Sequence, residues 1–414
     1  MRVLILGGGA REHAIAWKFS KSHKIAGLFI APGNVGTAEV GTNLPDIDPE
    51  DVDSVIRACE EHRINLVFVG GEAALAQGVV DLLESEGVDA IGPRKKSAQL
   101  ESSKSFSKDF MTRHSIPTAD YRTFTYFPAF EEHLRQRSGK LVIKKSGLAA
   151  GKGVLESDDT EELLAFGKAV LETDSLVVEE FLSGYELSVF ALSDGDSYCL
   201  LPPCADYKKA GRGNTGPNTG GMGAVCPVPW VSEEHWNRVV SEVVEPTFRG
   251  LAADDLGYRG VLYFGLMVTS EGPKVLEYNV RFGDPETQAL LPIIKNDCVD
   301  LCRGMMNGKI SEIEIRTTGD AAVGIVVASK GYPKGKSESA RVDRLPSWND
   351  AYVFHAGTTI KDGDIYTPSG RCFTVVGVGS DLLAARNRAY GAVEEVSFEG
   401  AWFRPDVGAR IFGT

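Results

Sequence analysis

The stretch KVLEYNVRFGDPETQ, residues 274 to 288, sets a carboxylate, a carboxamide and a guanidinium at alternate positions, Glu277, Asn279 and Arg281. Successive side chains of an extended strand point to opposite faces, so these three share one face, and Leu276, Tyr278, Val280 and Phe282 share the other. A carboxylate and an amide oxygen two residues apart suit magnesium, which takes hard oxygen donors and keeps waters and nucleotide oxygens as its other ligands. The guanidinium can neutralise an anion beside the metal. A half-buried strand whose polar side meets solvent would show the same alternation. The unbroken series and the FGDPE after it favour a metal-and-phosphate face backed by a core face.

Two glycine-rich stretches offer backbone amides to anions. In LVIKKSGLAAGKGVLES, residues 141 to 157, strand-like segments flank a loop, which predicts a hairpin whose tip folds over phosphates. The loop Gly147 to Gly153, with Gly151 and Lys152, departs from a Walker loop because only four residues separate Gly147 from Lys152, and Gly153 stands where Ser or Thr should hold magnesium. Lys144 points at the nucleotide if it shares a face with Val142. An exposed hairpin with solvated lysines is the alternative. The cluster Gly7-Gly8-Gly9 lies between a strand and a helix, where amides and the positive helix end can receive an anion. Dinucleotide binding fits poorly: Glu12 replaces the third glycine of that fingerprint, and the second strand ends in Ala31-Pro32 without a ribose-binding acid. A phosphate or small-substrate site and a ligand-free tight turn both stay open. VVEEFLSGYELS, residues 177 to 188, reads as an edge strand, a turn and another strand, with Glu186 poised as a ribose acceptor. TGPNTGGMG, residues 215 to 223, permits close approach to a small ligand, or is a surface loop.

The elements that must carry these groups follow from periodicity. Val3 to Leu6, Gly27 to Ile30 and Leu66 to Val69 read as buried strands, and Ala10 to Lys21 and Glu72 to Glu84 as helices, so residues 1–103 form an open parallel α/β unit. A helix over Ser105 to Arg113 and short strands follow, which predicts α+β domains to about residue 319. The last segment, 320–414, is strand-rich, ends in a helix over Asp381 to Val393, and reads as a small lid or closing domain.

The 414 residues exceed one core, so two to four domains are expected. A net charge of −13 makes nucleic acid and anionic membranes poor partners, and a phosphate site must gather its cations locally. The seven scattered cysteines form no C-x-x-C, the N-terminus lacks a signal-peptide core, and no apolar run reaches ~18 residues; the expectation is a cytoplasmic protein.

Taken in order, MRVLILGGGAREHAIAWK, APGNVGT, GLAAGKGV, TGPNTGGMG, EYNVRFGDPETQ, GYPKG and VFHAGT resemble the glycinamide ribonucleotide synthetases (phosphoribosylamine-glycine ligases) of the ATP-grasp superfamily. The resemblance runs along the whole chain. It implies an N-terminal substrate domain over 1–103, an ATP-grasp A domain over 104–121 and 188–319, a B lid over 122–187 and a C-terminal domain over 320–414. The implied reaction forms glycyl phosphate from glycine and ATP, and the amine of 5-phosphoribosylamine then captures it. By match of position, Glu277 and Asn279 would hold Mg2+ or Mn2+. Lys104, Lys144 and the loop with Gly147, Gly151, Lys152 and Gly153 would hold the ATP phosphates, the backbone around Glu180, Phe181 and Leu182 the adenine, and Glu186 the ribose. Gly9, Arg11, Glu12, Asn34 and Glu72 would line the sugar-phosphate side, and Asp206, Asn218, Thr219, Arg281 and Asp284 the transfer centre. Family precedent makes a monomer or homodimer plausible. Ser146, Tyr207, Arg212 and Asn214 depart from the family pattern and imply a more cationic substrate edge, and the segment before the hinge implies a shorter lid. An ATP-grasp ligase for another amino acid or amine, and a non-catalytic nucleotide-binding paralogue, are the alternatives.

Overall fold

The computed structural model describes residues 1–149, 153–347 and 351–412. The first hundred residues form a five-stranded parallel sheet in the order β3-β2-β1-β4-β5, with β1 at Arg2–Gly7, β2 at Gly27–Pro32, β3 at Thr42–Asn43, β4 at Leu66–Val69 and β5 at Asp89–Ile91. Val3 to Leu6 are wholly buried between helices, as expected of a parallel strand covered on both faces. Helix α1 (Ala10–Ser20) follows β1, with α2 (Val52–Glu61) before β4. The single helix expected over Glu72 to Glu84 is two, α3 (Glu72–Gln77) and α4 (Val79–Ser85), because Gly78 sits at φ 95° and ends the first with a left-handed turn. Helices α5 (Lys95–Ser102) and α6 (Lys104–Arg113) then lead to the lid, and the Ser103 side chain between them accepts from the Phe106 amide.

The lid is a four-stranded sheet in the order β6-β9-β7-β8, built from β6 (Tyr121–Phe124), β7 (Leu141–Lys145), β8 (Val154–Ser157) and β9 (Leu176–Glu180). Helices α7 (Phe127–Arg135) and α8 (Thr160–Leu171) cover it over a separate core that includes Phe130, Ile143 and Leu176. β9 is therefore an interior strand, not the expected edge strand, since it pairs with both β6 and β7. β10 (Tyr185–Asp194) crosses the expected boundary at 187 and belongs to the central sheet β11-β10-β16-β17, with β11 at Tyr198–Leu200, β16 at Arg259–Val268 and β17 at Pro273–Asn279.

The expected boundary at 319 does not divide the sheets either. A five-stranded sheet in the order β12-β15-β18-β23-β20 takes β12 (Ala205–Asp206) and β15 (Gly223–Cys226) from the central segment. β18 (Ala321–Ala328), β20 (Tyr352–His355) and β23 (Arg371–Gly379) come from the last one. The C-terminal segment is thus woven into the body, and the expectation of a closing lid there fails. Two-stranded ribbons pair β13 (Lys209–Gly211) with β14 (Thr215–Asn218), β19 (Val342–Arg344) with β24 (Ser397–Phe398), and β21 (Thr359–Lys361) with β22 (Asp364–Tyr366). Helices α9 (Glu233–Val239), α10 (Glu245–Ala253), α11 (Glu286–Leu290), α12 (Cys298–Met306) and α13 (Leu382–Val393) complete the layers. Among the described residues no helix is long and apolar enough to cross a membrane.

Candidate active site

A cavity of about 620 Å³ opens between the lid, the central sheet and the N-terminal unit, and β17 forms its floor. The register of β17 against β16 shifts between Gly265 and Leu266: Gly265 pairs with Glu277, but Leu266 pairs with Val275. Leu276 is the extra residue of a bulge, which reverses the side-chain alternation at that point. Val275 and Tyr278 are buried in the core, whereas Leu276, expected there, lines the cavity with Glu277 and Asn279. Arg281 lies just past the strand end and also lines the cavity.

Arg281 is held from three sides. It donates to Glu101 at 2.6 Å, to Glu72 at 3.2 Å and to Asn279 Oδ1 at 3.3 Å, and the second oxygen of Glu101 accepts from the Val280 amide at 2.7 Å. Burial pushes the Glu101 carboxyl up to about 7 despite Arg281, whereas burial is outweighed at Glu72 by Arg281 and Arg11, which hold it at about 2. Glu101 was not anticipated; it sits on α5, remote in sequence from its partners. Arg11 joins the same cluster through Glu12 at 2.6 Å and Glu72 at 4.0 Å.

On the lid side, Glu179 of β9 receives Lys108 at 3.2 Å and Lys144 at 3.0 Å, and Lys144 also donates to the Leu276 carbonyl at 3.0 Å. Burial, only partly offset by Glu179, lowers Lys108 to about 8. Lys104 at the start of α6 lines the cavity, and burial lowers its pKa, opposed by Glu277 and reinforced by Lys144. The Glu277 carboxyl is lowered: burial opposes this, but Lys208, Lys144, Lys104 and Arg281 prevail.

The remaining expected residues divide by placement. Gly153, Glu72, Asp206, Thr219 and Asp284 line the main cavity. Thr219 locks its loop by donating to the Lys208 carbonyl at 2.7 Å, and Asn218 instead reaches Glu156 of lid strand β8 at 2.9 Å, where Lys209 also binds at 3.0 Å. Gly9 lines a second cavity of about 360 Å³ with Gly8, Asp284, Gly357 and Arg371. Glu12 is occupied in capping α1, accepting from the Gly9 amide at 2.8 Å, and Asn34 is occupied in clamping the Gly8 and His355 carbonyls at 2.9 and 2.8 Å. Gly147 rests on Asp174 at 3.0 Å. Glu180, Phe181 and Leu182 lie at the lid hinge, where Glu180 pairs with Lys274 at 3.4 Å and Lys140 stands 3.9 Å over the Phe181 ring. Glu186 pairs with Lys208 at 2.7 Å. The expected roles of Gly151 and Lys152 fall outside the described residues.

The departures from the family pattern do not make the cavity edge more cationic. Arg212 is exposed at the β13–β14 turn, Asn214 accepts from Arg404 at 3.1 Å, Tyr207 lies 5.2 Å beneath the Arg404 guanidinium, and Ser146 contacts Ser105 at 3.0 Å. None of the four lines the cavity. Arg371 of β23, also not anticipated, ties Asp284 at 3.0 Å to the Gly220 carbonyl at 2.5 Å and borders both cavities.

Glu277 and Asn279 suit a divalent ion by donor chemistry, since both oxygens border the cavity beside buried cations that phosphates could engage. No group of three or more His, Cys, Asp or Glu that could hold a metal occurs among the described residues, so an ion there would draw further ligands from nucleotide and water.

Comparison with known proteins matches the chain, domain by domain, to one family. Models of the N, ATP-grasp (A) and C domains of phosphoribosylglycinamide synthetase match residues 1–101, 102–287 and 322–410. A phosphoribosylamine–glycine ligase from Vibrio parahaemolyticus is 42% identical over 421 residues, covering 99% of this chain and 98% of its own, and one from Rhodopirellula baltica is 41% identical over 432 residues, covering 100% and 98%. The crystal structure of the Thermotoga maritima phosphoribosylamine–glycine ligase superposes with a TM-score of 0.85 at 35% identity, covering 98% of this chain and 100% of its own. At 16% identity and a TM-score of 0.73, covering 97% and 91%, a Hydrogenobacter thermophilus biotin carboxylase domain in complex with MgADP and bicarbonate shares the fold.

Proposed function

The chain belongs to the phosphoribosylglycinamide synthetase family, and on that premise we propose how its cavity carries out ATP-dependent ligation of glycine to 5-phosphoribosylamine. A glycine carboxylate oxygen attacks the γ-phosphorus of ATP and ADP departs; the phosphoribosylamine nitrogen then attacks the carbonyl of glycyl phosphate, and phosphate leaves with the C–O bond that breaks. No serine or cysteine nucleophile is required, because the substrate supplies it.

The reading is carried by one observation: Glu277, Asn279, Arg281, Lys104 and Lys208 converge on a single cavity beneath the lid. Lys104 faces the phosphates, and Lys144 is held by Glu179 and Leu276 beside them. Arg281, fixed by Glu72 and Glu101, disperses charge that develops on the acyl phosphate. Glu277 and Asn279 would hold Mg2+ or Mn2+, which when bound supplies charge neutralisation between the phosphates. The contacts of Glu156 with Lys209 and Asn218 keep the lid over the loop 215–223 and so exclude water from an intermediate that water would hydrolyse. Arg11 and the cavity bordered by Gly9 serve the sugar phosphate.

A coupled ADP-release assay with ATP and phosphoribosylamine tests the reading. Glycine-dependent release is expected. Release with another amino acid alone would transfer the ligase to that substrate, and no release with any would overturn it.

A further inference from the structure

We propose that the Arg404–Asp406 pair of the C-terminal segment positions a latch that holds the lid closed, and so sets how tightly ATP cleavage is coupled to ligation; the inference rests on the ligase reading above. The Arg404 side chain is 1% exposed and lines neither of the two cavities described above. An arginine so deep must place its donors on partners inside the protein. It reaches Asp406 through Nε at 2.9 Å and Nη2 at 2.8 Å, the Lys209 carbonyl through Nη1 at 2.7 Å, and Asn214 Oδ1 through Nη2 at 3.1 Å. Asp406 also accepts from the Gly213 amide at 2.8 Å. Burial opposes ionisation of Asp406, but Arg404 and that amide hold its carboxyl below the usual range. Beyond the pair itself, these hydrogen bonds all fall on the β13–β14 ribbon and its turn.

The ribbon needs such an anchor. Among the described residues its two strands pair only with each other, and a two-stranded ribbon is marginal by itself. Lys209 and Asn218 stand opposite each other in its register, and both reach one oxygen of Glu156 on lid strand β8, at 3.0 and 2.9 Å. Lys209 is therefore held twice, its carbonyl by Arg404 and its ammonium group by Glu156. The other oxygen of Glu156 takes Lys140 at 3.2 Å, but Lys140 belongs to the lid and moves with it. The ribbon's contacts with Glu156 are the ones that lid opening must break. A ribbon released from Arg404 and Asp406 no longer presents Lys209 and Asn218 at a fixed place, and the lid opens more often on glycyl phosphate. Water then attacks the acyl carbon, the C–O bond to phosphate breaks, and glycine and phosphate leave with one proton passed to solvent. ATP is consumed without ligation.

The test uses the full chain and measures ADP released per glycine ligated, with ATP, glycine and phosphoribosylamine saturating. Glu156→Ala, Lys209→Met and Asp406→Asn should each raise that ratio roughly 2- to 5-fold over the unaltered protein, the size expected for one partly exposed ion pair. Lys209→Arg, which keeps the cation, should leave it unchanged. A loss of stability alone would lower both products together and not move the ratio. Because the anchor acts through the latch, adding Asp406→Asn to Glu156→Ala should raise the ratio no further than Glu156→Ala does by itself. Multiplying effects in that double variant, or an unchanged ratio in the single ones, overturns the proposal. Should Asp406→Asn not fold, Asn214→Gly at the exposed turn removes an Arg404 contact while keeping the backbone at φ 56° accessible, and an unchanged ratio there overturns it equally. Absence of glycine-dependent ADP release in the unaltered protein would instead defeat the ligase reading itself.

Discussion

Two buried charge clusters flank the cavity with opposite surpluses. In one, Lys108 and Lys144 share the single carboxylate of Glu179; in the other, three carboxylates, Glu12, Glu72 and Glu101, face two guanidinium groups, Arg11 and Arg281. The first retains an excess positive charge where the proposed mechanism gathers phosphates, in a protein of net charge −13. The second would carry an excess negative charge beside the transferred group, except that burial pushes Glu101 up to about 7 and lets it hold a proton. In the proposed mechanism, anion capture and acyl transfer are thus separated by which sign is left over, not by where charged residues are found.

The contrast is broken most severely at Glu179. Glu179→Gln leaves Lys108 and Lys144 without their counter-ion, although their side chains are only 2% and 8% exposed. The expected cost is about 3–5 kcal/mol of stability, read from denaturant midpoints. A midpoint unchanged from that of the parent would show the lysines to be solvated in solution. Next, Glu277→Ala should lower turnover by ~100-fold or more, about 2.7 kcal/mol of barrier, with both charge clusters intact. Near-normal steady-state ligation in that variant would refute the metal assignment.

The smallest effect sharpens the second cluster. The folded pKa of Glu101 lies above its ordinary 4.5, so the folded protein holds this proton more tightly than the unfolded chain. The resulting stabilisation is complete below pH 4.5 and is lost as pH rises through about 7. Glu101→Gln should remove that component, on the order of 2 kcal/mol, from a urea series spanning the window. An identical slope in parent and variant would mean that Glu101 is ionised beside Arg281 throughout.

Much of this site was legible in the chain because its groups come in short runs. The β7–β8 hairpin, the alternation of Glu277 and Asn279, and the glycine turn before α1 each follow from local spacing. What was missed is non-local or lies in backbone irregularity. Glu101 and Lys108 occupy helices whose own sequence gives no reason to pair with residues 281 and 179. The β17 bulge turned Leu276 towards the cavity against simple alternation, and Gly78 divided a helix that its apolar pattern continued. Glu286 stands within FGDPE and Lys208 directly follows Asp206 and Tyr207, so an acid and a cation beside candidate site residues were the available signals. Asn34 and Glu12 look like polar groups ready for a ligand, and only the fold reveals that Asn34 is spent on backbone groups and Glu12 on the Gly9 amide and Arg11.

The sheet that unites β12 and β15 with β18, β20 and β23 has a consequence for synthesis. A ribosome releasing this chain exposes residues 205–226 long before their partner β18 emerges at 321–328, and β18 in turn waits for β23 at 371–379. Asp206 and the loop beside it therefore gain their final positions only near the end of translation, so a prematurely terminated product would carry the nucleotide lid yet lack an ordered acceptor pocket.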